Sequence, residues 1–144
     1  MTKTVIVSAC LMGLKTRYDG GDALSAEALK ELQGAIPFPV CPEELGGLPT
    51  PRPRAEIDHG DGTDVLNGSS RVVDEKGRDC TAAFLSGAEA VLEIARLTGA
   101  RAAFLKEKSP SCGVALISKK GAQEPGMGVT AALLKKDGVE MKGF

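Results

Sequence analysis

Hydrophobic positions along the chain fall into short β-branched runs separated by stripes at helical spacing. Thr4 to Ala9 is such a run, and it stops at Cys10-Leu-Met-Gly13, where glycine breaks the pattern, so it reads as a first strand. Ser25 is placed to cap a helix over residues 26–33, because Leu24 and Leu29 stand in the staple relation and Gly34 supplies the stop. Ile36 to Val40 predicts a second buried strand, in which Pro37 and Pro39 are unusual. Residues 42–62 are rich in Pro and Gly without periodicity and read as a loop that folds over a site. Val65-Leu66 and Val72-Val73 flank Asn67-Gly-Ser-Ser70 and predict a short hairpin.

The clearest helix opens at Asp79 or Thr81, with Phe84, Ala88, Val91, Leu92 and Ala95 on one face and Gly99 beyond its end. Arg101 to Leu105 predicts another strand, Val129 to Lys135 a short helix, and Val139 to Met141 a last strand. Such alternation predicts a single α/β domain over residues 1–144, with a mainly parallel sheet flanked by helices, right-handed crossovers, and the hairpin as an insertion.

Composition narrows the function classes. Hydrophobic residues at 42% and charged residues at 26% suit a soluble globular chain without a membrane span. A net charge of -1 and 3% aromatic residues lack the basic footprint and stacking rings of a nucleic-acid module, and so favour a small-molecule partner. The apolar stretch after Met1 is too short for a secretory signal, which predicts a cytoplasmic protein. In that reducing compartment four cysteines point to metal binding or catalysis before disulfides.

Cys10, Cys41 and Cys112 each follow a predicted strand, at the start of a loop containing Gly or Pro. In a parallel sheet those strand ends share one edge, and ligand sites form outside that carboxyl edge, so the three thiols are predicted to converge. Cys80 follows no strand and lies in the first turn of the long helix, and is read as structural. No Cys-x-x-Cys knuckle of a zinc ribbon is present, and Cys10 to Arg17 is one residue too long for a phosphatase cradle. Gly126-Met-Gly-Val-Thr-Ala131 has the look of a dinucleotide fingerprint, but too little chain follows it; it reads as a helix start aimed at an anion. Two centres remain open on the residues alone. One is a [4Fe-4S] cluster, which three cysteines would leave with one iron accessible to a substrate. The other is structural zinc. Lys15, Arg17, Arg52, Lys106 and Lys108 lie near the ligand loops in sequence and would offset the negative charge of either.

Five segments taken together, Ser8-Ala-Cys10-Leu-Met-Gly13, Arg17-Tyr-Asp-Gly20, Cys41-Pro-Glu-Glu-Leu-Gly-Gly-Leu48 with Pro51-Arg52, Lys106-Glu-Lys-Ser-Pro-Ser-Cys112-Gly113 and Gly126-Met-Gly-Val-Thr130, resemble the thiouracil desulfidase family over almost the whole chain. The resemblance implies a compact Rossmann-like domain in which Cys10, Cys41 and Cys112 bind a [4Fe-4S] cluster. The fourth iron then takes the sulfur of a thiolated pyrimidine, and the products are the oxygenated pyrimidine and hydrogen sulfide. Glu43, just past the proline after Cys41, is placed to activate water or to move a proton on a ring nitrogen. Ser109 and Ser111 offer hydroxyls to the base or to developing negative charge, and the resemblance favours Ser109. Tyr18 reads as packing with the option of stacking on the ring, His59 as surface, and Arg54 as a departure from a commoner proline at that position. Two other functions stay open: a carrier delivering cluster-bound sulfide to tRNA or another acceptor, and a zinc-binding module.

Overall fold

The computed structural model describes residues 2–144. In chain order its elements are β1 (Thr4–Ser8), a 3-10 turn (Ala9–Met12), α1 (Ala26–Glu31), β2 (Ile36–Val40), α2 (Pro42–Leu45), β3 (Ala55–Ile57), α3 (Gly62–Leu66), β4 (Val72–Asp74), α4 (Thr81–Thr98), β5 (Ala102–Leu105), β6 (Leu116–Lys119), β7 (Ala122–Pro125), α5 (Val129–Lys136) and β8 (Glu140–Gly143). The main sheet has the order β2-β1-β5-β8 and every pairing in it is parallel. From β1 the chain moves one way to β2, then returns across to β5 and onward to β8. The order therefore reverses between β1 and β5, and the crevice outside their carboxyl ends is where such sheets bind ligands.

Alternation along the strands divides the core between the two faces of the sheet. Ile6, Ala103 and Leu105 pack with Val91, Ala95 and Leu134 of α4 and α5, while Val5 and Val7 pack with Leu11 and Leu32 on the opposite face. Each fully buried aliphatic side chain of this kind contributes about 1.5–3 kcal/mol from leaving water. A further apolar cluster, Ala55, Ile57, Val65, Val72, Phe84, Ile117 and Val129, joins β3, β4, α3 and β6 to the helices. Gly87 of α4 lets α2 lie directly on it: a Cβ there would come 1.8 Å from the Pro42 carbonyl oxygen. That contact fixes the segment carrying Cys41 and Glu43.

The structure corrects several expectations. β2 is an edge strand, not a buried one, and Ile36 and Phe38 are exposed. The Ile36 N–H donates to the Lys3 carbonyl, so the alternate positions 37 and 39 face outward, where proline lacks no inward bond and blocks pairing with another chain. The segment 42–62 is not all loop, since it contains α2 and β3. Val65 and Leu66 end a helix instead of forming one arm of a hairpin: Asp61 caps α3 by accepting from Thr63 N at 2.9 Å, and Asp64 returns the bond to Asp61 N at 2.9 Å. β4 pairs instead with β3, and β6 and β7 form a hairpin for which the sequence pattern offers no sign. Among the described residues no helix is long and apolar enough to cross a membrane.

A candidate thiol-lined site at the switch point

Outside the carboxyl ends of β1, β2 and β5 lies a cavity of about 420 Å³, lined by all three predicted cysteines together with Glu43, Ser109 and Ser111. Cys10 sits in the 3-10 turn that continues β1, closed by the Gly13 N–H donating to the Cys10 carbonyl at 3.1 Å. Cys41 is the N-cap of α2, with Pro42 in the first helical turn, and its side chain makes no cap bond. Its thiol instead donates to the Thr16 carbonyl at 3.7 Å. Cys112, 4% exposed, belongs to a loop wound around Ser109, whose hydroxyl accepts from Ser111 N at 3.2 Å and Cys112 N at 3.0 Å.

The start of α5 clamps that loop. Val129 N donates to Pro110 O at 2.9 Å and Thr130 N to Ser111 O at 2.8 Å. The Gly-Met-Gly segment is thus a helix start, as predicted, but these N–H groups are spent on loop carbonyls and do not await an anion. Glu107 secures the outgoing chain, its Oε1 accepting from Val114 N, Ala115 N and Leu116 N at 2.7, 3.0 and 3.2 Å.

Burial pushes all three thiols up from their ordinary range. For Cys112 it does so to about 12, against partial relief from the Ser8 and Ser111 hydroxyls. Lys106 and Arg17 pull Cys10 back, while the Glu44 backbone N–H and Arg52 do so for Cys41. The three free thiols therefore stay protonated at neutral pH.

A second set of contacts connects the polar residues. Ser111 Oγ donates to Glu43 Oε2 at 3.0 Å and lies 3.1 Å from Ser109 Oγ. The other Glu43 oxygen accepts from Arg52 Nε at 3.0 Å. Arg17, Arg52, Lys106 and Lys108 line the cavity and Lys15 does not. Tyr18 lines the cavity, with the Arg17 and Arg54 guanidinium carbons each 5.7 Å from its ring centroid. His59 and Cys80 are outside; Cys80 donates to the Val72 carbonyl at 3.6 Å and burial pushes it up to about 11.

Sequence reasoning missed Ser8, whose hydroxyl accepts from Lys106 N at 2.9 Å and so ties β1 to β5 at the point of reversal. It also missed Ser118 and Gln123, brought to the cavity by the β6–β7 hairpin. A short polar hairpin has no strong local signal, and a serine at a strand end has none. Among the described residues no three His, Cys, Asp or Glu side chains are grouped to hold a single metal ion.

Fold and site together define a doubly wound α/β protein with a three-thiol cavity at its switch point. The sequence model of the 2-thiouracil desulfurase family matches residues 5–143, and the chain belongs to that family. It is 44% identical to the uncharacterized protein YbbK of Bacillus subtilis (strain 168) over 137 residues, 93% of this chain and 91% of that one. A solved structure of the [4Fe-4S]-dependent thiouracil desulfidase TudS superposes with a TM-score of 0.85 at 40% identity, covering 99% of this chain and 91% of that chain.

Proposed function

We propose that this chain is a thiouracil desulfidase that holds a [4Fe-4S] cluster on Cys10, Cys41 and Cys112 and removes sulfur from 2-thiouracil, 4-thiouracil or their nucleotides. One observation carries the reading: three strand ends bring three thiols into one cavity beside a linked carboxylate and two hydroxyls. The donor set fits the cofactor. Three soft sulfur ligands surround a space large enough for a multi-atom group, with cationic side chains on its wall to offset negative charge. When bound, such a cluster supplies a Lewis acid for sulfur at an iron that no cysteine ligates. The similarity to a protein named as a [4Fe-4S]-dependent thiouracil desulfidase supports the same assignment.

The chain's own residues supply the proton handling. Glu43 takes a proton from the attacking water or carries one to a ring nitrogen. Ser111, between Glu43 and Ser109, relays it by accepting and donating through one hydroxyl. Ser109, whose oxygen accepts from two backbone N–H groups, turns its one hydroxyl proton from Ser111 to the base or to the charge that develops on it. Water contributes the oxygen of the product and both of its protons leave with sulfur as hydrogen sulfide, so no electron donor is needed.

The test is anaerobic reconstitution followed by a sulfide assay on the two thiouracils and their nucleotides. The expected result is about four irons per chain with sulfide release. Each of Cys10→Ser, Cys41→Ser and Cys112→Ser abolishes turnover, and Glu43→Gln lowers it by roughly 10²- to 10⁴-fold. A full cluster with no sulfide from any of these substrates would overturn the proposal. Sulfide passed to a tRNA acceptor instead would identify a carrier, and zinc in place of iron a structural module.

A further inference from the structure

We infer that Arg52 is the positioning residue of this site, holding the Glu43 carboxylate, the Cys41 sulfur and the loop behind Cys10 in one frame. The inference builds on the roles proposed for Glu43 and Cys41 and adds a residue that acts through both of them. Arg52 lies in a Pro-rich segment and its side chain is only 4% exposed. A guanidinium has five N–H donors in a planar fork, and all five are occupied here. Nε donates to Glu43 Oε1 at 3.0 Å. Nη1 donates to Pro49 O at 3.3 Å and Thr50 Oγ1 at 2.7 Å. Nη2 donates to Thr16 O at 2.8 Å and faces Cys41 Sγ at 3.8 Å.

The last pair matters most. As a thiol, Cys41 gives its own proton to the Thr16 carbonyl. A metal-ligating thiolate has no proton to give. Arg52 Nη2 is then the donor that Thr16 O and the sulfur share, so the frame survives the change of state. Glu43 is held from the opposite side by Ser111. Its two oxygens are thereby assigned, one to the cation and one to the hydroxyl relay. Lysine keeps the charge but offers three donors on a compact head and cannot reproduce the fork. A donor to a ligand sulfur also raises a cluster's reduction potential, which gives Arg52 a signature that simple packing lacks.

The experiment compares reconstituted Arg52→Lys with wild type for iron content, cluster reduction potential, kcat and KM. We expect full iron content, a potential moved negative, and kcat lower by about 10- to 100-fold with KM changed by less than about threefold. In parallel, the Arg52 Nε–H resonance of ¹⁵N-labelled cluster-free protein is followed in Glu43→Gln and Cys41→Ser, and we expect it to move in both. Wild-type kcat together with wild-type potential in Arg52→Lys overturns the inference, as does an Nε–H signal indifferent to Glu43→Gln. The resonance measurement needs no Arg52 variant and no cluster. Failure of wild-type protein to release sulfide sinks the desulfidase reading, and the role of Arg52 is then decided by the potential and the resonance alone.

Discussion

At Cys112 burial removes the water that would solvate a thiolate, and the thiol is pushed from 9.0 up to about 12. The unfolded chain ionises first as pH rises. Cluster-free protein therefore keeps this contribution to stability below pH 9.0 and loses it progressively as pH climbs toward about 12. Cys112→Ala is expected to flatten that decline in urea melts run across the alkaline range, and an unchanged slope would contradict it. Cys10 and Cys41 were legible because each stands just past an apolar run, where a parallel sheet delivers side chains to one edge, and Cys112 because it lies in the loop that leaves the next such run, Ala102–Leu105. Arg52 was legible as a nearby cation and as part of a segment that carries the resemblance, but not as an anchor of the site. Pro49 and Thr50 are its near neighbours, but Cys41 and Glu43 reach it only across α2 and Thr16 only from a distant loop, whereas the Arg54 guanidinium two residues on sits over the Tyr18 ring.

Among the elements, α5 and the loop of residues 109–113 behave as one unit. A Cβ on Gly128 would lie 2.4 Å from the Ser111 carbonyl carbon and 2.8 Å from Cys112 N, so no side chain fits without moving the cysteine. Gly128→Ala is expected to destabilise the protein by about 1–3 kcal/mol, the usual cost of overpacking, and to lower the iron retained after reconstitution. Denaturant melts and iron assays on the same preparation check both. Elements with a strong period were readable: of the predicted stripe on α4, Phe84, Ala88, Val91 and Ala95 are buried and Leu92 is partly buried. Elements that depend on a distant partner were not. Val72-Val73 has the composition of a strand, but its partner lies upstream at Ala55–Ile57, across a capped helix that looks like the other half of a hairpin.

On the scale of the whole molecule, the cavity is walled by loops leaving β1, β2 and β5, and those strands are adjacent in the sheet. A centre ligated from all three loops links segments that are otherwise held by backbone turns and a few side-chain bonds. Loaded protein is expected to melt at a higher temperature than cluster-free protein, because a group that binds only the folded chain adds its binding free energy to stability. Hydrogen exchange should slow around residues 10–16, 41–46 and 109–113, and with them in α1, whose N-terminus is tied to the Cys10 turn by Ser25 N donating to Leu11 O. Equal melting temperatures for the two forms would argue against ligation by all three loops.

By itself the sequence determined the α/β class, the main strands, the long helix and the three cysteines, because periodicity and strand-end position are local properties written in consecutive residues. Its resemblance to a family reached further, to the cluster and the desulfidation. Only the tertiary structure decided that β2 is an edge, that the Gly126–Thr130 segment grips a loop instead of awaiting an anion, and that Arg52, Glu43, Ser111 and Ser109 form one connected chain of contacts. The reason is physical. Which donor meets which acceptor is set by how strands and loops distant in sequence are brought side by side, and no local pattern carries that information.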